Sequence, residues 1–129
     1  MKLPDLSDTE AAGVHHGPVS AEALASASAE SRLRYFSVDL GPVESKMALL
    51  DALAGSLAFP AHFGRNWDAL ADCLEDETLV GKHGAVVRIL HAGAYRSAHA
   101  LDWKTLEEIL DEAAAFWKER HLPFWVFVN

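Results

Sequence analysis

The chain carries a single cysteine, Cys73, so no internal disulfide can staple it. Its longest apolar runs fall far short of the ~20 residues a membrane-spanning helix needs. Positive charge is scarce: 11 Lys and Arg face 19 Asp and Glu, for a net charge of −8. That balance argues against nucleic acid and anionic membrane as partners and leaves room for a cationic one. No CxxC, HExxH, phosphate-loop or GxGxxG pattern occurs, so neither a metal nor another cofactor is expected. Met1 to Asp5 (MKLPD) lacks the apolar core of a signal peptide, and a cytoplasmic protein is expected. What remains is 129 residues with 50% hydrophobic content, enough for one packed domain.

Strand and helix patterns alternate along that domain. Met1 to Glu10 is polar and expected to be loose. Gly13 to Pro18 (GVHHGP) fits a short edge strand or a turn, and Ser20 is placed to cap an alanine-rich helix through Ala29. Leu33 to Leu40 reads as a strand that ends at Gly41-Pro42. Glu44 to Leu57 reads as a helix with Met47, Leu50, Leu53 and Leu57 on its core face. Phe59-Pro60 stops it, Gly64 permits a turn, and Asn66 caps a helix from Trp67 to Glu77. After a loop at Gly81 to Gly84 come a strand at Ala85 to Leu90 and a connection of open form from His91 to Leu101. Asp102 caps a long helix bearing a stripe of Leu106, Ile109, Leu110, Ala113 and Trp117, and Phe124 to Val128 (FWVFV) closes the chain as a strand. The alternation predicts an α/β fold: a small parallel β-sheet packed with helices, of three strands, or four if Gly13 to Pro18 joins.

The stretch FGRNWDALADCLEDE, Phe63 to Glu77, concentrates acidic charge. On a helical wheel Trp67, Leu70, Cys73 and Leu74 share one side, while Asp68, Asp72, Glu75 and Asp76 share the other. Each like-charge pair at three- or four-residue spacing costs roughly 0.2–0.5 kcal/mol. Asp68 recovers some of this from the helix dipole; the later carboxylates do not. Such a face is either simply solvated or a docking surface for a basic partner, and the absence of mixed signs favours docking.

The same residues carry a family resemblance. FPAHFGRNWDALADCL, Phe59 to Leu74, resembles the signature segment of the barstar family, intracellular inhibitors of barnase-type ribonucleases. The resemblance implies a barstar-like domain over residues 32–129, preceded by an extension, residues 1–31, that adds a strand and helix or stays loose. It implies no enzymatic activity and a basic ribonuclease or related toxin as partner, with an acidic helix plugging the partner's active site. By position it makes Asp68 and Asp72 the binding aspartates, Asp72 the energetic anchor, Gly64 the glycine of the preceding turn and Cys73 a packing residue. His62 stands where the family has a contacting tyrosine, Ala71 where it has a contacting tryptophan, and Phe116 where it has a binding glutamate. Glu75 and Asp76 make the helix exit more acidic than the family's. The expected surface is therefore Asp68, Asp72, Glu75, Asp76, His62, Phe63, Gly64 and Ala71.

Other readings of these residues are weaker. A divalent cation between His62, Asp68 and Asp72 would require the turn to fold toward the helix. Acid–base chemistry by Asp68 and Asp72 lacks the desolvation it requires on an exposed face. The main rival is an acidic module for a basic protein that is not a nuclease. Trp103, Trp117 and Trp125 are expected in the core, and Trp67 either in the core or at the rim of the binding surface. His62, set beside the acid patch, predicts binding that varies with pH around neutrality.

Overall fold

The computed structural model describes residues 3–129; Met1 and Lys2 lie outside the described residues. The chain runs β1 (Val14–His16), α1 (Ala21–Glu30), β2 (Arg34–Asp39), α2 (Lys46–Ser56), α3 (Trp67–Leu74), α4 (Glu77–Val80), β3 (Ala85–Leu90), α5 (Gly93–Ala98), α6 (Ala100–Glu119) and β4 (Phe124–Val128). The strands form one parallel sheet in the order β1-β4-β3-β2. Val14 to His16 does join, as an edge strand in register with Val126 to Val128.

Side-chain alternation along the strands feeds two cores. Val38, Val87, Ile89, Phe124 and Val126 point to the larger one, where α2, α3 and α6 add Leu49, Leu50, Leu53, Leu70, Leu74, Leu106 and Leu110. Val86, Trp125 and Phe127 point the other way, under Leu24 of α1 and Leu6. β3 and β4 are buried on both faces, which is why both read as apolar runs. Close approach at their N-terminal ends needs a glycine: at Gly84 (φ +112) a Cβ would lie 2.3 Å from the Pro123 carbonyl oxygen.

Several expectations change. The segment from Leu3 to Glu10 is not loose, because Leu6 is 1% exposed and its carbonyl accepts from Trp125 Nε1 at 2.8 Å. On α2 the apolar spacing misplaced Met47, which is 42% exposed; Leu49 takes the core position in the first turns. The helix expected from Asp102 begins at Ala100, leaving Asp102 in its first turn rather than at the cap. Between His91 and Leu101 the connection contains α5, whose Tyr95 packs into the core and offers its hydroxyl to Asp102 at 3.4 Å.

Two measurements test this packing. Leu6→Ala should lower unfolding free energy by roughly 2–4 kcal/mol in urea titrations; a loose segment would give no change. Burial and the neighbouring Asp102 push the Tyr95 hydroxyl up to about 12. Between the ordinary phenol value near 10 and that point, the unfolded chain loses a proton that the folded chain keeps, so stability falls as pH rises through this window. Absorbance at alkaline pH should accordingly show Tyr95 ionising near 12.

Candidate functional site

The site is built from the turn after α2, from α3 and from α4. Phe59 and Phe63 close the turn on itself, with ring centroids 5.2 Å apart. Arg65 holds a left-handed backbone (φ 52), a conformation uncommon for a residue with a side chain. Its guanidinium grips Asp51 of α2 through two hydrogen bonds, Nε to Oδ1 at 2.8 Å and Nη2 to Oδ2 at 2.9 Å. That fork fixes the turn against α2. Gly64, by contrast, does not supply the turn's left-handed step: a Cβ there would meet only ordinary contacts of 3.4 Å with Ala69 and Asn66. Asn66 then caps α3, its Oδ1 accepting from the Ala69 amide at 2.8 Å.

α3 ends at Leu74, not at Glu77. Its last turn is pinned from behind, where buried Trp117 of α6 donates Nε1–H to the Leu74 carbonyl at 2.8 Å. From ahead, Asp76 leaves the helix to cap α4, accepting from the Thr78 amide at 2.8 Å and the Thr78 hydroxyl at 2.7 Å. The single acidic helix expected from the sequence is thus two helices with Glu75 at the joint. The signal was present as Asp76 two residues ahead of Thr78 and followed by Leu79-Val80, a capping pattern before an apolar pair.

A recess of about 630 Å³ opens between these elements. It brings together Asp72, Asp76 and His62 over an apolar floor that includes Leu57, Phe59 and Leu79. Arg34 of β2 also reaches it, donating to the Thr78 carbonyl. Nothing in the sequence placed Arg34 here, since the contact spans two helices and depends on β2 lying beside α4. Cys73 lines the recess and is only half-buried, correcting its expected core position. Burial, then Asp76 and Asp72, push its thiol up, which keeps it protonated and unreactive at neutral pH.

The remaining expected residues lie outside the recess. Asp68 is exposed in the first turn of α3, Ala71 and Phe63 pack half-buried against the core, and Glu75 is half-buried at the helix exit. Among the described residues, Asp68 and Asp72 take part in no ion pair or side-chain hydrogen bond. His62, Asp68 and Asp72 do not converge as metal ligands there. Trp67 is neither deep core nor bare rim: it is half-buried, with the Lys46 ammonium 5.1 Å from its ring centroid. Trp103, Trp117 and Trp125 are core, as expected. On α6, Phe116 lies half-buried under the Arg120 guanidinium, 3.5 Å from the ring centroid.

Fold and site together define a small parallel α/β domain that displays a capped, outward-facing acidic helix beside a recess. A family model described as Barstar (barnase inhibitor) matches residues 33–129, the greater part of the chain. The chain belongs to the barstar family. A comparison with curated proteins finds no match. No helix among the described residues is long and apolar enough to cross a membrane.

The joint between α3 and α4 is testable. Asp76→Ala should speed amide exchange at Thr78 and fray α4, leaving the amides of α3 unchanged. Hydrogen bonds from Thr78 hold the Asp76 carboxyl below the usual carboxylate range. The cap is therefore complete at neutral pH and is lost as pH falls through that depressed value. Protection of the Thr78 amide, relative to an unstructured amide at the same pH, that stays fixed down to strongly acidic pH would refute it.

Proposed function

We propose that this protein inhibits a basic ribonuclease, or a related basic toxin, by laying α3 and the turn before it over the partner's active-site cleft. The observation that carries this reading is the pair Asp68 and Asp72, exposed and without a cation among the described residues, in a chain of the barstar family. Carboxylates on a rigid, capped helix match a cleft built to hold phosphates, and the field of an acidic chain steers a basic partner toward them. Barnase and barstar themselves associate in this way, with electrostatic steering and one dominant interfacial aspartate, and both features are carried over here from that relative. Glu75 and Asp76 extend the negative surface, and His62, Phe63, Gly64 and Ala71 supply its uncharged part.

The surface differs in shape from the family's. His62 stands at the recess beside Asp72 in place of a larger aromatic contact, and Ala71 shortens the neighbouring helix surface, so the partner presents a side chain where the family's partners meet a ring. This is inhibition by occlusion, with no reaction performed and no cofactor used. The proposed setting is the cytoplasm, guarding the cell against its own nuclease.

Co-expression with the candidate nuclease should rescue growth, and Asp72→Ala should abolish rescue. In calorimetry the same variant should lose about 2 kcal/mol or more of affinity with an unchanged melting curve. Association should slow as salt rises. Unchanged affinity for Asp72→Ala would overturn the proposal. Tight binding to a basic protein that is not a nuclease, without rescue, would favour the acidic-module reading instead.

A further inference from the structure

The sheet order places β1 and β2 at its two edges. β1 is three residues long, and a strand that short recruits no other chain. β2 is twice that, RYFSVD, without proline, glycine or lysine to blunt it. The amides of Arg34 and Leu40 donate to the carbonyls of Gly84 and Leu90 at 3.0 and 2.9 Å. Residues of that parity bond toward β3, so the backbone groups of Tyr35, Ser37 and Asp39 turn outward. Among the described residues no backbone carbonyl outside the sheet ladder accepts from those three amides. Ser37 and Asp39 are exposed, and Tyr35 is half-buried.

We propose that β2 is a self-association edge, on which a second copy of this chain adds its own β2 antiparallel across a two-fold axis. The strand is complementary to itself. With Ser37 opposite Ser37 of the second copy, the outward residues exchange both their hydrogen bonds, and Tyr35 stands opposite Asp39 on one face of the joined sheet. On the other face half-buried Phe36, with the Arg34 guanidinium 5.3 Å from its ring centroid, stands at the level of Val38, which its own chain already buries, so the backbone hydrogen bonds rather than new apolar burial hold the junction. Every pair occurs twice, as an isologous contact requires. Arg34 and Asp39 are the only charged residues of the strand, so two copies of β2 do not repel each other locally. The −8 charge of each whole chain opposes approach at long range, and added salt screens that repulsion.

Sedimentation equilibrium of the full chain, from micromolar to millimolar concentration and at low and high salt, tests this. The expected result is a dimer that strengthens with salt, with slowed amide exchange at Ser37 as concentration rises. Ser37→Asp sets like charges opposite each other and should weaken the dimer about tenfold or more, with an unchanged circular dichroism spectrum. Ser37→Pro removes the same outward N–H and should act alike. A monomer at every concentration and salt would overturn the proposal. So would a dimer that Ser37→Asp leaves intact, or one whose Ser37 amide exchanges at the monomer's rate. The opposite salt dependence separates this contact from nuclease binding at α3, so either can fail without the other.

Discussion

One buried hydrogen bond sets the shape of the acidic surface. Trp117 Nε1 donates to the Leu74 carbonyl in a place where neither group meets water. Helix ends leave carbonyls without intrahelical partners, and a buried one without a donor costs about 1–3 kcal/mol. The indole supplies that donor from α6, the longest helix of the domain. It thereby fixes where α3 stops and how its last turn sits on the core. The direction of Asp72, the exit at Glu75 and the start of α4 all follow from that end point.

The opposite end of α3 is fixed by different means, and the contrast bears on recognition. Its entry relies on exposed groups: the Asn66 cap, and the Arg65 fork onto Asp51. Half-exposed ion pairs contribute little to stability, because water screens them and their side chains lose entropy on pairing. A bidentate fork nevertheless restricts direction. The turn bearing His62, Phe63 and Gly64 is held in place with His62 and Gly64 exposed and only Phe63 half-buried. α3 is thus anchored deeply behind and presented openly in front.

How much of this was legible depended on whether the cause was local. β3 and β4 were read to the residue, because double burial writes itself as apolar runs, unbroken in β4 and interrupted only by Arg88 in β3. The caps Ser20 and Asn66 were legible for a related reason: a cap is a side chain bonding its own backbone neighbours. Reading failed where the cause came from elsewhere in the chain. Met47 fits the helical spacing as well as Leu49 does, and only the way α2 lies on the sheet at β2 decides which is covered. Leu6 looked like one apolar residue in a polar tail, and only Trp125, far along the chain, gives it a place. Arg34 reached the recess with no sequence signal at all. The acidic stretch lay between these cases: its capping pattern was local and readable, but the wheel extended through it.

That break changes the electrostatic argument. On a continuous helix, Asp72 and Asp76 would be four residues apart and in repulsive contact. Ending α3 at Leu74 moves Asp76 off that face and gives its carboxylate two donors from Thr78. The penalty is therefore smaller than the sequence implies, and set against a typical domain stability of about 5–15 kcal/mol it is easily carried. Yet the charges have not dispersed. Both carboxylates border one recess, and both raise the thiol of Cys73 between them. Their negative field is thereby aimed into a concave space with an apolar floor, where screening by water is weaker than on an open helix face. Arg34 reaches that space too, but is held by the Thr78 carbonyl, and among the described residues it forms no ion pair with either aspartate. The recess thus keeps two carboxylates without an ion-pair partner among the described residues, which is the condition the proposed steering of a basic partner requires.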